Sequence, residues 1–533
     1  MWQASIQTSA LEASLKFIRN AIGQFLPRRG EWALFLAFSI LYSIFIQPAS
    51  SMQRSRMDTI LAWSHQRTVA IDRYHENTYY DKSRYQGHYY SDKAPGMAFL
   101  GWPAYELIRR LLSLQGDEIR DPLLAMYLSH FLAAFTVAVP SALMVTLVYR
   151  LGRWLTGNHW RALIALVSLG LAGMTFPFAT VFMGHNTATF FSLLAFALAF
   201  AVRRRELGDG WLALSGFLAG LGGVTDYPNL LFAFLLVVYL LMWLQGHRLV
   251  RGLLVYVVGG VPMALVLAGY NWAVFGGPLH WSYHYQVSPW REMHQVGLAG
   301  VTTLDPQLLL TLLFDRRGLL PLYPVLLLVP LGWWDWYRSQ RWRPEWAFSL
   351  LVPIAYLLAN GAFFGGLGGL ASGPRYVIPC LPFLAFALAQ LHRRALPLLL
   401  LLGGVTIAIT FLITLTGPMA PGWELNPLFE YWWPRLLHGQ LPWTEPWVRF
   451  GLPYRWVLPG LLGVAVIALV AWAAREGIRW RGRELPPWLG TTLIWLLLVV
   501  YVAAAFPVNL RYPLQLPAPY LTHKPSVETT TGR

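Results

Sequence analysis

The chain has 533 residues, of which 56% are hydrophobic and only 12% are charged. That charged share is about half of what globular domains carry, and apolar stretches of membrane-spanning length recur throughout, so a soluble protein is excluded. The formal net charge of +16 would suit nucleic acid, but the Lys and Arg residues lie between apolar stretches and form no basic domain. This pattern excludes nucleic acid as a partner and favours membrane lipids with anionic headgroups.

The first 30 residues predict a surface helix rather than a secretory signal. Leu11, Leu15, Ile18 and Ile22 repeat at helical spacing and would lie on one side of a helix at the cytoplasmic face. The first apolar segment begins only near Glu31, and no small-residue cleavage site follows it. We therefore expect residues 1–30 to form an interfacial segment and the next segment to be a retained membrane span.

Apolar stretches of membrane-spanning length continue from there to residue 505. A helix needs about 20 apolar residues to cross the hydrocarbon core, and the chain offers about 13 such stretches. The sequence therefore predicts an all-α polytopic membrane protein with a transmembrane domain over 31–505 and a polar tail over 506–533. The predicted spans are 31–47, 122–149, 161–179, 186–202, 211–225, 229–245, 252–275, 319–336, 345–366, 375–391, 395–416, 456–473 and 487–505.

The charges of the short loops predict the orientation. With the N-terminus in the cytoplasm, alternate short loops are rich in arginine, as cytoplasmic loops are. The opposite short turns, at 184–186 and 225–229, contain no Lys or Arg. The C-terminal tail and all the long loops are then expected outside, and these loops are 48–121, 276–318, 366–374 and 417–455.

The first of these loops, residues 48–121, is where the ionisable residues gather. The span interiors nearly lack such residues, with His130 as the only one well inside a span, so we expect the active region at the outer interface. Within the loop, 57–64 and 97–114 predict short interfacial helices. Carboxylates beside cations suit the activation of a hydroxyl and the holding of a phosphate, although a solvated loop with incidental ion pairs is the alternative. The loop carries Asp58, Asp72, Asp81 and Asp92 with Arg56, Lys82, Arg84 and Lys93.

Four segments in order resemble the motifs of one superfamily. Tyr90–Gly96, which reads YSDKAPG, resembles the acidic–Lys–Pro–Pro motif of the GT-C fold glycosyltransferases. The protein O-mannosyltransferase-like and aminoarabinose-transferase-like branches are the most similar. The other three segments are Gly184–Asn186, Leu312–Leu319 and Gly373–Tyr376, the last followed by Pro379 and Pro382.

The resemblance implies a membrane enzyme, expected in a prokaryotic plasma membrane, that takes a sugar from a polyprenyl-phosphate donor on the outer face. It implies that Lys93 and Arg375 contact the donor phosphate and that Asp92 organises a metal or the phosphate. Arg316 or Arg317 would assist, or would anchor lipid headgroups instead. Lys93 has a second interpretation as a lysine that reaches to the interface.

The resemblance also directs the choice of a catalytic base. The acidic pair that the superfamily carries after its first span is replaced here by Gln53 and Arg54. Asp58 lies nearest to the expected position and is the first candidate, and Asp72 is the second. Asp58 has an alternative role as the cap of a helix, and Asp72 as an ion-pair partner of a nearby arginine.

A metal, the sugar and the acceptor stay open at this point. His280, His284 and His294 fall within one outer loop at a spacing that permits a metal site, while scattered interfacial histidines are the other interpretation. No cofactor is identified, and a divalent metal remains an option. The acceptor could be a lipid, a glycan or a protein. The alternative functions are a transporter or flippase of a lipid-linked glycan and a non-catalytic assembly factor.

Overall fold

The computed structural model describes residues 31–288, 290–421, 426–438 and 440–442, and most of these residues are helical. The predicted segment 1–30, the spans 456–473 and 487–505 and the tail 506–533 lie outside the described residues, as does part of the loop 417–455. The α-helices α1 to α19 are, in chain order, Glu31–Ile44, Ser51–Gln66, Gly96–Leu112, Pro122–Ala133, Val139–Thr156, His159–Gly170, Thr175–Phe178, His185–Arg203, Trp211–Thr225, Asn229–Leu241, Gly246–Phe275, Arg291–Gln295, Pro306–Phe314, Leu319–Leu322, Val329–Ser339, Arg343–Gly361, Leu381–Ala389, Leu396–Thr416 and Trp433–Leu437.

Several of the helices have membrane-spanning character. Within the described chain, four are long and apolar enough to cross a bilayer, namely Pro122–Thr156, His185–Arg203, Gly246–Phe275 and Arg393–Thr416. The first of these contains a π-helical segment at Ala134–Ala138. The apolar helices that are shorter than these are Glu31–Ile44, Trp211–Thr225, Asn229–Leu241 and Arg375–Ala389. All eight coincide with predicted spans to within a few residues at most of their ends.

Two predicted spans are interrupted in the structure. The predicted span 319–336 is divided into a short helix Leu319–Leu322, a 3-10 segment Pro324–Leu328 and a helix Val329–Ser339. Proline lacks the amide hydrogen that a continuous helix needs, and Pro324 stands at the break. The predicted span 161–179 ends as a helix at Gly170, and a separate turn of helix follows at Thr175–Phe178. The count of about 13 spans therefore remains a prediction.

Aromatic side chains fill the centre of the helix bundle. Phe196 stacks on Phe348 with ring centroids 5.4 Å apart, and Phe383 meets both rings edge-on. At the periphery the helix Gly246–Phe275 turns many apolar side chains outward, and its most apolar window is only 17% buried. Such an apolar outer face is what a bilayer-exposed helix requires.

The first loop is folded. It contains the helices Ser51–Gln66 and Gly96–Leu112 and, between them, a hairpin of strands β1, Lys82–Tyr85, and β2, His88–Ser91. The two short helices predicted at 57–64 and 97–114 are therefore present. The hairpin is a departure from the all-α prediction. Its two turn residues, Gln86 and Gly87, both have positive φ, as a type I′ turn requires.

The second loop, residues 276–318, is attached to the first by hydrogen bonds. Val287 donates its backbone N–H to the carbonyl of Lys82 at 3.0 Å. The Ser282 hydroxyl donates to the carbonyl of Asp92 at 2.8 Å, and the Ser83 hydroxyl donates to the carbonyl of Ser282 at 2.6 Å. These contacts fix the hairpin and the residues that follow it against the rest of the protein.

Candidate functional site

Lys93 joins two carboxylates immediately after the hairpin. Its Nζ donates to Asp81 Oδ1 at 2.6 Å and to Asp92 Oδ2 at 2.9 Å. Asp92 is completely buried, and its Oδ2 also accepts from Gln286 Nε2 at 2.5 Å. Asp81 is partly exposed and also accepts a hydrogen bond from the Ser51 hydroxyl. The ammonium group of Lys93 is thus held in one place by both neighbours.

The register of the hairpin explains why these two carboxylates meet. With only two residues in the turn, Lys82 lies opposite Ser91. The next opposed positions beyond that pair are Asp81 and Asp92. Like charges directly opposite one another destabilise a sheet, so a cation between them is needed. Lys93, the next residue in the chain, supplies it.

The surroundings shift the pKa values of Asp81, Asp92 and Lys93 in different directions. Burial raises the pKa of Asp92, although Lys93 opposes that effect. Burial alone would also raise the pKa of Asp81, but Lys93 and Ser51 outweigh it and the pKa is lowered. Burial would lower the pKa of Lys93, yet Asp81 and Asp92 outweigh it and the pKa is raised. Lys93 is therefore charged at neutral pH, and Asp81 is an ionised carboxylate that water can reach.

Two buried arginines complete the group, which we call the Lys93 cluster: Lys93, Asp81, Asp92, Arg56 and Arg375. Arg375 interacts electrostatically with Asp81, and Arg56 interacts with Lys93, Asp92 and Arg375. Arg375 donates from Nη2 to the Tyr376 hydroxyl at 3.2 Å, and its guanidinium lies 5.1 Å from the centre of that ring. Its Nε and Nη1, although buried, donate to none of the described residues.

Close backbone contacts bring the motifs of the sequence together at this point. A Cβ atom on Gly96 would lie 2.7 Å from the Thr225 Cα, and one on Gly184 would lie 2.7 Å from the Thr225 carbonyl oxygen. Both segments therefore pack on the end of the helix Trp211–Thr225 as only glycine permits. In consequence His185 meets Asp226, with Nδ1 and Oδ2 2.7 Å apart and both residues buried.

Asp58 points away from the Lys93 cluster. It lies inside the helix Ser51–Gln66 and not at its start, so it is not a cap. It lies two positions after Arg56 in the chain, which corresponds to about 200° around a helix. Its carboxyl group is buried, accepts from Asn77 Nδ2 at 3.3 Å and interacts with Arg54 and Lys82. Burial raises the pKa of Asp58 well above its usual range.

Asp72 also lies apart from the cluster. Its carboxylate is exposed, accepts from the Tyr89 backbone N–H at 2.7 Å and is paired with His88 Nδ1 at the same distance. Both partners belong to strand β2, so Asp72 stabilises the exposed side of the hairpin. Its role as a base therefore stays a prediction that its position does not favour.

Arg316 and Arg317 differ in their exposure to solvent. Arg316 is exposed, whereas Arg317 is 2% exposed and donates from Nη2 to the Ala420 carbonyl at 3.2 Å. The charged neighbours of Arg317 include Arg316 and Asp315, which are not members of the Lys93 cluster. Their contact with a phosphate stays a prediction.

The carboxylates of the Lys93 cluster are joined by a side-chain cation of the protein itself. Across the described ranges no three His, Cys, Asp or Glu side chains converge so that they could hold a metal. Of the histidines singled out in the sequence, His294 stacks on Tyr283 with centroids 4.7 Å apart, and His280 Nδ1 lies 2.8 Å from the Phe275 carbonyl oxygen. Within the described residues neither histidine belongs to a group of side chains that could hold a metal.

Three members of the site were not selected from the sequence, namely Asp81, Arg56 and Asp226. The signal for Asp81 was present, because a Gln–Gly turn between alternating residues predicts a hairpin and its register puts Asp81 opposite Asp92. Gln53, at the position of the expected acid, accepts from Ser129 Oγ at 2.8 Å and from the Phe182 N–H at 3.1 Å. It is thus a structural residue.

Comparison with known proteins identifies the fold. No protein-family model matches the chain, and no curated protein matches it in sequence. The structure is similar to ArnT from Cupriavidus metallidurans bound to undecaprenyl phosphate, with a TM-score of 0.51, 16% identity, and coverage of 92% of this chain and 77% of that one. It also resembles the oligosaccharyltransferase of Archaeoglobus fulgidus in the apo form, with a TM-score of 0.47, 13% identity, and coverage of 80% of this chain and 60% of that one. The chain is an integral membrane protein with the GT-C fold, as the motif resemblance implied.

Proposed function

We propose that this protein is a membrane glycosyltransferase that moves a monosaccharide from a polyprenyl-phosphate donor to a hydroxyl of a lipid, glycan or protein acceptor. The observation that carries the proposal is the Lys93 cluster, where Lys93, Arg56 and Arg375 come together beside an ionised, accessible Asp81. The GT-C fold supports it, since ArnT of that fold is described in complex with undecaprenyl phosphate.

The cluster suits the two charges that develop in such a transfer. As the bond between the sugar and the phosphate breaks, the phosphate takes the electron pair, and nearby cations stabilise it. Arg375 has buried N–H groups with no partner among the described residues, and both Arg375 and Lys93 interact with Asp81. The acceptor oxygen forms the new bond to the anomeric carbon from the opposite face and loses its proton to a base. Sugar transfer with inversion follows.

Asp81 is the base that we propose in place of Asp58. A base has to be ionised and within reach of a substrate hydroxyl. Asp81 has a lowered pKa and is 22% exposed, whereas Asp58 is fully buried with a raised pKa and faces Asn77. Asp92, whose Oδ1 is buried without a described partner, serves to hold Lys93.

The cluster is proposed to face the outer side of a prokaryotic plasma membrane. The arginine-rich short loops put the N-terminus in the cytoplasm and the first loop outside. Reporter fusions after Arg205 and Arg343 should then be cytoplasmic, and a fusion within 49–121 should be outside. The opposite result would put the cluster on the cytoplasmic face, and the donor would have to be supplied there.

Transfer in detergent is the decisive experiment. Purified protein is supplied with a panel of radiolabelled polyprenyl-phosphate sugars and a membrane extract as the source of acceptor, and new glycosidic products are separated and counted. One donor should give a product. A flippase would give none in detergent but would move the labelled lipid across vesicle membranes, and that outcome would overturn the transferase proposal.

A further inference from the structure

Between the helices His185–Arg203 and Trp211–Thr225 lies a buried acid–histidine pair that the proposed chemistry does not use. His185 Nδ1 and Asp226 Oδ2 are 2.7 Å apart, and the two side chains are 5% and 11% exposed. An ionised carboxylate can only accept, so Nδ1 carries the proton and the histidine acts as donor.

Asp226 is a shared counter-charge for two arginines. It attracts both Arg56 and Arg375, whereas the two arginines repel each other. Two guanidinium groups buried near one another separate unless an anion offsets their repulsion. Asp226 provides that anion when no phosphate is bound. His185 orients it without adding a third permanent positive charge.

A second contact connects His185 to Arg375 through an aromatic ring. The His185 ring meets the Tyr376 ring edge-on, with centroids 5.7 Å apart and an interplanar angle of 85°. The hydroxyl of Tyr376 accepts from Arg375 Nη2 at 3.2 Å. His185 therefore contacts two residues that interact with the Arg375 guanidinium, namely Asp226 and Tyr376.

We propose that His185 and Asp226 are positioning residues that hold Arg56 and Arg375 close enough together to bind the same phosphate group of the donor. The proposal rests on the proposed function for the identity of the ligand. The free N–H groups support it: Arg56 Nε, Arg375 Nε and Arg375 Nη1 are buried and donate to none of the residues that the structure describes. In this proposal the pair acts through the arginines and not by direct contact with the substrate.

The test compares Asp226→Asn with Glu345→Gln. Glu345 is a matched control because it is also a buried carboxylate paired with an arginine, Arg203, at 2.7 Å, and it has no contact with the Lys93 cluster. Asp226→Asn should raise the donor KM by on the order of tenfold or more, because removing one partner of a buried charged group weakens binding by that scale. Asp226→Glu should recover part of the loss. The donor KM of Glu345→Gln should equal that of the wild type.

Equilibrium binding of a short-chain polyprenyl phosphate supplies a measure that does not need turnover. The affinity of folded Asp226→Asn should fall by the same factor as its KM rises, and His185→Gln should show a smaller fall. A merely structural role would reduce the yield of folded protein and leave this affinity unchanged. If Asp226→Asn does not accumulate, His185→Gln decides.

The two proposals fail in different ways. Wild-type affinity in the folded variants overturns the positioning role even when the protein transfers sugar normally. Tight phosphate binding that Asp226→Asn weakens, with no sugar transferred from any donor, supports the positioning role and overturns the transferase.

Discussion

Replacing Lys93 with methionine tests the stability of the cluster and its chemistry together. Methionine keeps much of the volume and removes the charge, so Asp81 and Asp92 face each other without a cation. Breaking a buried ion pair by removing one partner costs about 3–5 kcal/mol. Asp81 is partly exposed and can be hydrated, and Asp92 can take up a proton, so we expect a loss near the lower limit, about 3 kcal/mol.

The transfer rate of Lys93→Met should fall by more than its folded fraction does. Removing one group that stabilises a developing negative charge slows turnover by on the order of a hundredfold to a thousandfold. The assay is the initial rate of sugar transfer per folded molecule in detergent, with the folded fraction taken from thermal unfolding. Lys82→Met is the matched control, because Lys82 belongs to the same hairpin but donates to the His75 carbonyl at 2.7 Å. It should keep near wild-type activity.

Two results would refute this reasoning. Folded Lys93→Met with a wild-type rate would mean that Lys93 only separates two carboxylates and that the phosphate is held elsewhere. An equal loss of rate in Lys82→Met would mean that both variants act through the hairpin as a whole. Lys93→Arg distinguishes charge from shape, since it keeps the charge and should recover part of the rate.

Further outcomes follow from the same geometry. Asp81→Asn should lower kcat by on the order of a hundredfold with donor binding kept, while Asp58→Asn should remain close to wild type, and the reverse ranking would restore Asp58 as the base. The raised pKa of Lys93 means that its stabilising effect is complete below its ordinary value of 10.5 and is lost only above it, so the difference in unfolding temperature between wild type and Lys93→Met should not decrease from about pH 7 to about pH 10. Gly96→Val should lower the yield and the unfolding temperature, because its Cβ would lie 2.7 Å from the Thr225 backbone, and a normal unfolding temperature would show that this contact can relax.

The sequence predicted the cations of the Lys93 cluster better than it predicted which carboxylate lies beside them. Lys93 and Arg375 are far apart in the chain, and their convergence was expected from their shared outer-face placement and from the motif resemblance. The choice of carboxylate depended on which side of one helix each residue faces. Because the helix begins at Ser51 and runs through Asp58, the side that Arg56 takes excludes Asp58 from the cluster. Composition and spacing do not show which side of this helix faces the cluster.

Hydropathy predicted which segments are apolar but not which are continuous. The helices His185–Arg203 and Trp211–Thr225 match their predicted spans to within a residue. The predicted span 319–336 is equally apolar, but Pro324 stands inside it and the helix stops there. A sliding window averages over such a residue. The positions of the apolar helices in the described bundle can thus be predicted from the sequence. The points where a helix is interrupted depend on single residues and were not predicted.

The two-residue turn of the hairpin has a consequence for how this protein can vary. Side chains on a strand alternate between faces, so one residue inserted between Asp81 and the turn would move Asp81 to the opposite face and take it from Lys93. The spacing from Asp81 to Lys93 is therefore as constrained as the charges themselves. Among homologous sequences we expect insertions and deletions to fall outside residues 81–93, even where the amino acids of the strands differ.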